Sequence, residues 1–247
     1  MLFRSGKSEP ELADLKQIGV YRFDWKVALG LFRKRSLLLL FIQGFFGVFP
    51  WNVITYWFFR YLETERHYSA DAVLVTMVVA VLVLASGYFV GGAAGDFFFR
   101  RTPRGRLIVC TTAVLLGAIL LLFTLNIPIE NQGLFLVMLS LTALFIPFAA
   151  PNVVSSVYDI TLPEVRSTAM AVQYFIESAG AASAPLIAGL IAVQSSLRDA
   201  ILIICVFTWV LCSFFFSIAA YLIPRDIETL RSQMRERAEH ERVLQAR

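Results

Sequence analysis

The sequence predicts an all-α integral membrane protein built as a bundle of six transmembrane helices. Of its 247 residues, 58% are apolar and only 16% are charged, and the mean hydropathy is +0.70. Soluble domains carry about 25% charged residues. The apolar residues fall in unbroken blocks of about 20, the length of a bilayer-crossing helix, without strand-like alternation. Because a bilayer accepts only helices or closed barrels, these blocks are predicted to be helices.

The six predicted spans are joined by short links, which favours an up-and-down bundle. They are Leu37 to Arg60, Ala72 to Gly95, Leu107 to Asn126, Gly133 to Val153, Ser167 to Val193 and Ala200 to Ile223. Residues 1–35 are predicted as a cytoplasmic amphipathic linker of two short helices, with a partly ordered linker as the alternative. Residues 36–223 form the predicted bundle, and 224–247 a charged cytoplasmic tail in the form of a solvated helix.

The basic residues predict the orientation of the bundle. Nineteen Lys and Arg residues fall in the terminal segments and the even-numbered links, and three in the opposite links. Positive charge accumulates on the cytoplasmic side of membrane proteins. Both termini are therefore predicted to be cytoplasmic, in a protein of the cell membrane.

The link after the second span carries the most informative motif, GGAAGDFFFRRTPRGR at residues 91–106. Before it, Gly87, Gly91 and Gly95 lie four residues apart on one helix face, which allows a neighbouring helix to approach at backbone distance. The motif resembles the short loop of the major facilitator superfamily, which reads Gly, three residues, Asp, a basic residue, any residue, Gly and two basic residues. Four positions match that loop, namely Gly92, Asp96, Arg100 and Arg101.

Phe97 and Phe99 replace the first basic residue and the second glycine of that loop. The resemblance implies a cytoplasmic clasp that helps to hold one conformation of an alternating-access cycle, with a generic positively charged loop as the alternative. A basic partner is expected for Asp96, such as Arg166 or Arg100.

A second stretch, DITLPEVRSTAMAVQYFIESAGAASAPLIAGL at residues 159–190, resembles the eleventh helix of Spinster-like members of the same superfamily. Pro-Glu-Val-Arg at 163–166, the intramembrane Glu177 and Pro-Leu-Ile-Ala-Gly at 185–189 occur in the same order. Such transporters bind substrate between two six-helix halves. The six spans resemble the C-terminal half. The implied partner is a second half, whether a separate chain, a missing N-terminal part or a second copy.

The resemblance implies that the first, second, fourth and fifth spans line the substrate cavity. It favours four polar residues as substrate contacts, namely Gln43, Asn52, Tyr56 and Thr76. For Gln43 and Asn52, hydrogen bonding between helices is an equal alternative, worth about 0.6 kcal/mol each.

Glu177 is the only ionisable residue deep within any span. Eleven residues at about 1.5 Å each place it roughly 16 Å from Arg166, near the centre of a hydrocarbon core about 30 Å thick. Gln173, Gly180 and Ala184 share its helix face and predict a stripe that points into the bundle. Glu177 and Gln173 are candidate substrate-binding or coupling residues, with the carboxyl a proton carrier or a counter-charge for a cationic head group. The alternative is a protonated glutamate in one structural hydrogen bond.

These observations favour one half of a secondary active transporter that moves a small organic or amphipathic solute by alternating access. The alternative is a non-transporting membrane subunit or assembly factor with the same fold. An enzyme is disfavoured because both histidines lie outside the spans, and no Ser-His, Cys-His or metal-ligand group can be assembled. No cofactor and no metal is expected. The expected partners are the lipid bilayer, a second half and a small-molecule substrate, and not nucleic acid.

Overall fold

The computed structural model describes residues 30–245, and within them the chain is helical without any strand. Its α-helices are α1 (Arg35–Thr64), α2 (Ala70–Phe99), α3 (Gly105–Leu125), α4 (Gln132–Phe145), α5 (Ala149–Ile160), α6 (Arg166–Gln194) and α7 (Leu197–Gln245). Short 3-10 turns at Ile146–Phe148 and Pro163–Val165 join α4 to α5 and α5 to α6. The predicted linker 1–35 lies almost wholly outside the described residues and stays a prediction.

Six helical segments of the described chain are long and apolar enough to cross a membrane. At this level, the prediction of an all-α bundle with six such segments is confirmed. The fourth segment, Gln132–Ile160, contains both α4 and α5 and extends beyond the predicted end at Val153. Pro147 has no amide hydrogen to donate, and the helix passes through a 3-10 turn at this point.

The last helix continues through Pro224, so the charged tail and the sixth span form one helix as far as Gln245. Ile227 and Leu230, beyond the proline, are only 3% and 7% exposed. Ser36, at the start of α1, also donates a hydrogen bond to the Asp226 carboxylate. This packing offsets the cost of a proline inside a helix, about 3 kcal/mol. The helical form predicted for the tail is confirmed, but the helix does not begin anew at Pro224.

The core lies along α1, α3 and α7. Leu40 and Phe41 of α1, Leu121 of α3 and Phe216 of α7 are at most 1% exposed. By contrast, α2 and α6 bury only 17% of their most apolar stretches. The outer faces of α2 and α6 are therefore the parts of the bundle with the fewest intramolecular neighbours.

The second helix crosses the fourth segment at backbone distance. A Cβ atom added to Gly87 or Gly91 would overlap atoms of α4 or of the following 3-10 turn, and one added to Gly95 would overlap the Asn152 side chain. Asn152 Nδ2 donates a hydrogen bond to the Gly91 carbonyl oxygen at 2.8 Å. The close approach predicted from these three glycines is confirmed, and the fourth segment is the helix that approaches.

Hydrogen bonds at two ends of the bundle show how the helices alternate. At the first end, called the basic end here, α2 passes into α3 and α5 passes into α6. There Lys34 Nζ donates to the Ile160 carbonyl at 2.7 Å. At the opposite end, the Glu65 carboxylate accepts from the backbone amides of Leu197 and Arg198 at 2.6 and 3.1 Å. Glu65 thus satisfies free amides at the start of α7.

A buried arginine joins three segments at the opposite end. Arg66 is 3% exposed and donates to the carbonyl oxygens of Ile127 and Pro128 at 3.0 and 3.2 Å. Its guanidinium carbon lies 3.9 Å from the centre of the Phe135 ring. These contacts satisfy carbonyls beyond the end of α3 and place the cation over an aromatic face, a favourable arrangement for a buried charge.

Candidate functional site

Three of the predicted binding residues meet in one cavity. The cavity has a volume of about 310 Å³ and lies among α1, α2, α5, α6 and the 3-10 turn after α4. Gln43 of α1 and both Gln173 and Glu177 of α6 line it. By helical rise, these positions lie roughly 10–16 Å from the starts of their helices at the basic end. The amides and the carboxyl therefore share one level within the bundle.

Two glycines of α1 make room for the amides. A Cβ atom at Gly44 would overlap the Gln173 amide nitrogen and would lie 3.3 Å from Glu177 Cγ. A Cβ atom at Gly47 would overlap the amide nitrogen of Gln43. Both amides thus lie against the α1 backbone, where any larger residue would displace them. The sequence analysis missed this role, although the Gln-Gly-x-x-Gly spacing at residues 43–47 was visible.

Gln173 and Glu177 form a hydrogen-bonded pair on α6. Gln173 Nε2 donates to Glu177 Oε1 at 2.7 Å. The Gln173 side chain is buried, with the residue 1% exposed, whereas Glu177 is half-buried. Gln173 Oε1 is buried and has no hydrogen-bond partner among the described residues. Buried acceptors are normally satisfied, so this oxygen is an unsatisfied acceptor in a residue that lines the cavity.

The stripe predicted on α6 points into the bundle. Ala184 is fully buried, and Gly180 is buried so closely against α1 that an added Cβ atom would overlap the Phe45 carbonyl oxygen. The inward orientation of Gln173, Gly180 and Ala184 is therefore confirmed. This contact places Glu177 between α6 and α1, at the wall of the cavity.

The rest of the cavity wall is apolar and aromatic. Trp51, Tyr88, Met170 and Tyr174 contribute to it. Tyr88 and Tyr174 are 43% and 55% exposed, which places them at a side that the described chain does not cover. None of the described residues in the wall is basic, and Glu177 is its one carboxylate.

The other three predicted contacts lie outside this wall. Asn52 donates to the Val48 carbonyl of its own helix at 2.8 Å, Tyr56 is 72% exposed, and Thr76 is buried. Their positions do not bring them to Glu177, and a role in substrate binding stays a prediction for each. Trp51, which was not among the predicted contacts, lines the cavity instead.

At the basic end, Arg106 joins α2, α3 and α5. Its guanidinium lies 2.8 Å from Asp96 Oδ1 and also pairs with Asp159. The expected basic partner of Asp96 is present, but it is Arg106 and not Arg166 or Arg100. The chain reverses between α2 and α3, and this reversal places the first turn of α3, which carries Arg106, beside the last turn of α2.

The reversal depends on Gly105, where a Cβ atom would overlap the backbone at Phe98. The remaining predicted clasp residues take other contacts. Arg101 lies over the Phe97 ring at 4.2 Å, and Arg166 donates to the Tyr158 carbonyl oxygen at 3.1 Å. Besides Asp96, the predicted clasp comprises Gly92, Arg100, Arg101 and Arg166. An added Cβ atom at Gly92 would meet only Pro151, at an ordinary 3.7 Å.

A larger cavity of about 450 Å³ lies among α1, α2, α3 and α4. Its wall is almost entirely apolar, with Thr55 and Thr142 as its polar side chains. It contains no ionisable side chain among the described residues, so the chemistry of the candidate site lies in the smaller cavity.

Comparison with known proteins adds no family assignment. No protein-family model matches the chain, and no curated protein matches it with significant similarity. The function is therefore argued from the site itself.

Proposed function

We propose that this chain is one six-helix half of a secondary active transporter of the major facilitator type. It moves a small organic or amphipathic solute by alternating access. The observation that carries the proposal is the meeting of Gln43, Gln173 and Glu177 in one cavity within a largely apolar bundle. Polar and ionisable residues within membranes are costly and usually mark substrate or ion pathways.

The second half of the transporter covers the outer faces of α2 and α6. These helices are the least buried, and the exposed Tyr88 and Tyr174 lie on them beside the cavity. Glu177 is half-buried on the same side. Lipid disfavours a carboxylate at this depth, whereas a facing half closes the cavity and places the substrate between two halves.

Arg106 acts as the clasp between helices that move in the cycle. It pairs with Asp96 on α2 and Asp159 on α5. Basic residues favour the cytoplasmic side, so this end faces the cytoplasm and the bundle lies in the cell membrane. Breaking either pair changes the balance between the two access states.

The test is flux in proteoliposomes made from the native assembly of the full chain, screened over cationic, anionic and neutral solutes. We expect solute flux that Glu177→Gln lowers at least about tenfold, a barrier increase of about 1.4 kcal/mol. Glu63→Gln is the matched control because Glu63 is exposed at the opposite end of α1.

Equal flux in wild type and Glu177→Gln would contradict the role of the cavity. Assembly without flux of any solute class would instead favour the non-transporting membrane subunit. Native mass measurement of the same sample reports whether a second half is present, and transport by an isolated 27.7 kDa chain would contradict the two-half arrangement.

A further inference from the structure

We infer that the cavity beside Glu177 binds an organic ammonium ion that carries N–H donors. The inference deepens the proposed function, and it rests on that proposal in taking this cavity as the substrate site. It starts from the hydrogen bonds at the cavity wall, where the Gln173 amide nitrogen has a partner and the Gln173 amide oxygen has none among the described residues.

Gln173 and Glu177 carry more hydrogen-bond acceptors than the described residues around them satisfy. The amide nitrogen of Gln173 is used in the 2.7 Å hydrogen bond to Glu177 Oε1. The amide oxygen of Gln173 is buried and has no partner among the described residues. Glu177 has a second carboxylate oxygen, which can accept further hydrogen bonds when the group is ionised. A ligand that donates hydrogen bonds to both residues would satisfy this acceptor pair, once the Gln173 side chain turns to bring its buried oxygen to the cavity.

The charge of the cavity wall indicates whether a positively or a negatively charged ligand is favoured. Glu177 is the one carboxylate in the wall, and none of its described residues is basic. A carboxylate at this depth is stabilised by a cation close to it, whereas an anionic ligand would place like charges side by side in a medium of low dielectric constant. The charge of the described wall therefore favours a cation over an anion.

The remainder of the wall fits the organic part of such a ligand. Trp51, Tyr88 and Tyr174 offer aromatic faces, and Met170 adds a flexible apolar contact. A volume of about 310 Å³ is at the small end of ligand cavities, which suits a body of about one ring. The ligand class is thus an arylalkyl or short alkyl ammonium ion.

The unpartnered Gln173 oxygen separates two kinds of cation. A primary ammonium has three N–H donors and can contact both Gln173 Oε1 and the Glu177 carboxylate. A quaternary ammonium has none, so it would keep the charge and the aromatic contacts but leave the Gln173 oxygen unsatisfied. Leaving a buried acceptor unpaired weakens binding.

The experiment measures equilibrium binding to the purified native assembly of the full chain in detergent, which does not require transport. The probes are 2-phenylethylammonium and hexylammonium, their N,N,N-trimethyl analogues, and 3-phenylpropionate as the anion. We expect both primary ammonium ions to bind about tenfold or more tightly than their trimethyl analogues, and the anion to bind least.

Three variants test the residues. Glu177→Gln should weaken the binding of every cation at least about tenfold. Gln173→Met should reduce the ratio of primary to quaternary affinity towards one, and Gly44→Ala should act in the same direction because its Cβ overlaps the Gln173 amide. Gln132→Met is the matched control, since Gln132 is exposed at the start of α4, and should leave both affinities unchanged.

Equal binding of primary and quaternary ions by wild type would overturn the inference, as would binding of neither primary ion or a preference for the anion. These results leave the transport proposal standing if the reconstituted assembly moves another solute. Conversely, ammonium binding with the expected ratio, but without flux of any solute, would support the inference and contradict transport.

Discussion

The crossing of α2 with the fourth segment can be tested by two adjacent glycines. Gly91 and Gly92 share the same helix and both lie next to the fourth segment, but only at Gly91 is there no room for a side chain. A Cβ atom at Gly91 would overlap Phe148, including its Cα atom, whereas a Cβ atom at Gly92 would meet Pro151 at 3.7 Å. Gly91→Ala also disturbs the 2.8 Å hydrogen bond from Asn152. We expect Gly91→Ala to be the less stable variant.

The magnitude follows from three contributions. Overpacking a close contact costs about 1–3 kcal/mol, and weakening the Asn152 hydrogen bond adds about 0.6 kcal/mol. Alanine is favoured over glycine inside a helix by about 1 kcal/mol, but both variants gain this amount equally. The free energies of unfolding of the two variants should therefore differ by about 2–4 kcal/mol.

The assay is reversible unfolding by SDS in mixed micelles, followed by tryptophan fluorescence and far-ultraviolet circular dichroism. Gly92→Ala should be as stable as wild type or more stable by up to about 1 kcal/mol. If the two variants unfold within about 0.5 kcal/mol of each other, or if Gly92→Ala is the weaker, the backbone-distance crossing is refuted.

Further predictions concern the two ends of the bundle and the thiols. Asp159→Asn should lower the free energy of unfolding by more than Asp96→Asn in the same assay. Arg106 pairs with both residues, but the Asp159 side chain is 26% exposed and the Asp96 side chain 60%, and an exposed pair contributes only about 0–1 kcal/mol. Equal losses would contradict this ranking. Glu65→Ala removes the cap of α7 and should cost about 1 kcal/mol, with faster amide exchange in the first turn of that helix but not in α3. Native protein should not react with a polar maleimide until SDS unfolds it, because all three cysteines are buried, Cys110, Cys205 and Cys212. Labelling of the folded chain would contradict that burial.

Much of the fold was predictable because it depends on local properties of the chain. Runs of about 20 apolar residues form helices in lipid irrespective of their neighbours. Spacing of four residues likewise indicated that Gly87, Gly91 and Gly95 share one face and that Gln173 and Glu177 share another. The glycine face is buried as predicted, and Gln173 also donates a hydrogen bond to Glu177, a contact that was not predicted.

The partners of those faces were not predictable. Spans that are apolar all round carry little signal for how each helix is rotated about its axis, since most of their faces could meet lipid or protein equally well. The sequence therefore placed Gln43 and Asn52 together on α1 as candidates, but only Gln43 lines the cavity with Glu177. The sequence indicated no role for Gly44 and Gly47, which lie against the side-chain amides of Gln173 and Gln43.

The sequence by itself determined the all-helical class, the six segments long and apolar enough to cross a membrane, and the presence of one carboxyl on a polar and small-residue stripe. Only the tertiary structure decided that Arg106 pairs with Asp96 and Asp159, and that the buried Gln173 oxygen has no partner among the described residues. Composition and periodicity act within a single helix. Ion pairs and cavities depend on the separation and rotation of helices distant in sequence, which arise from packing of the whole bundle.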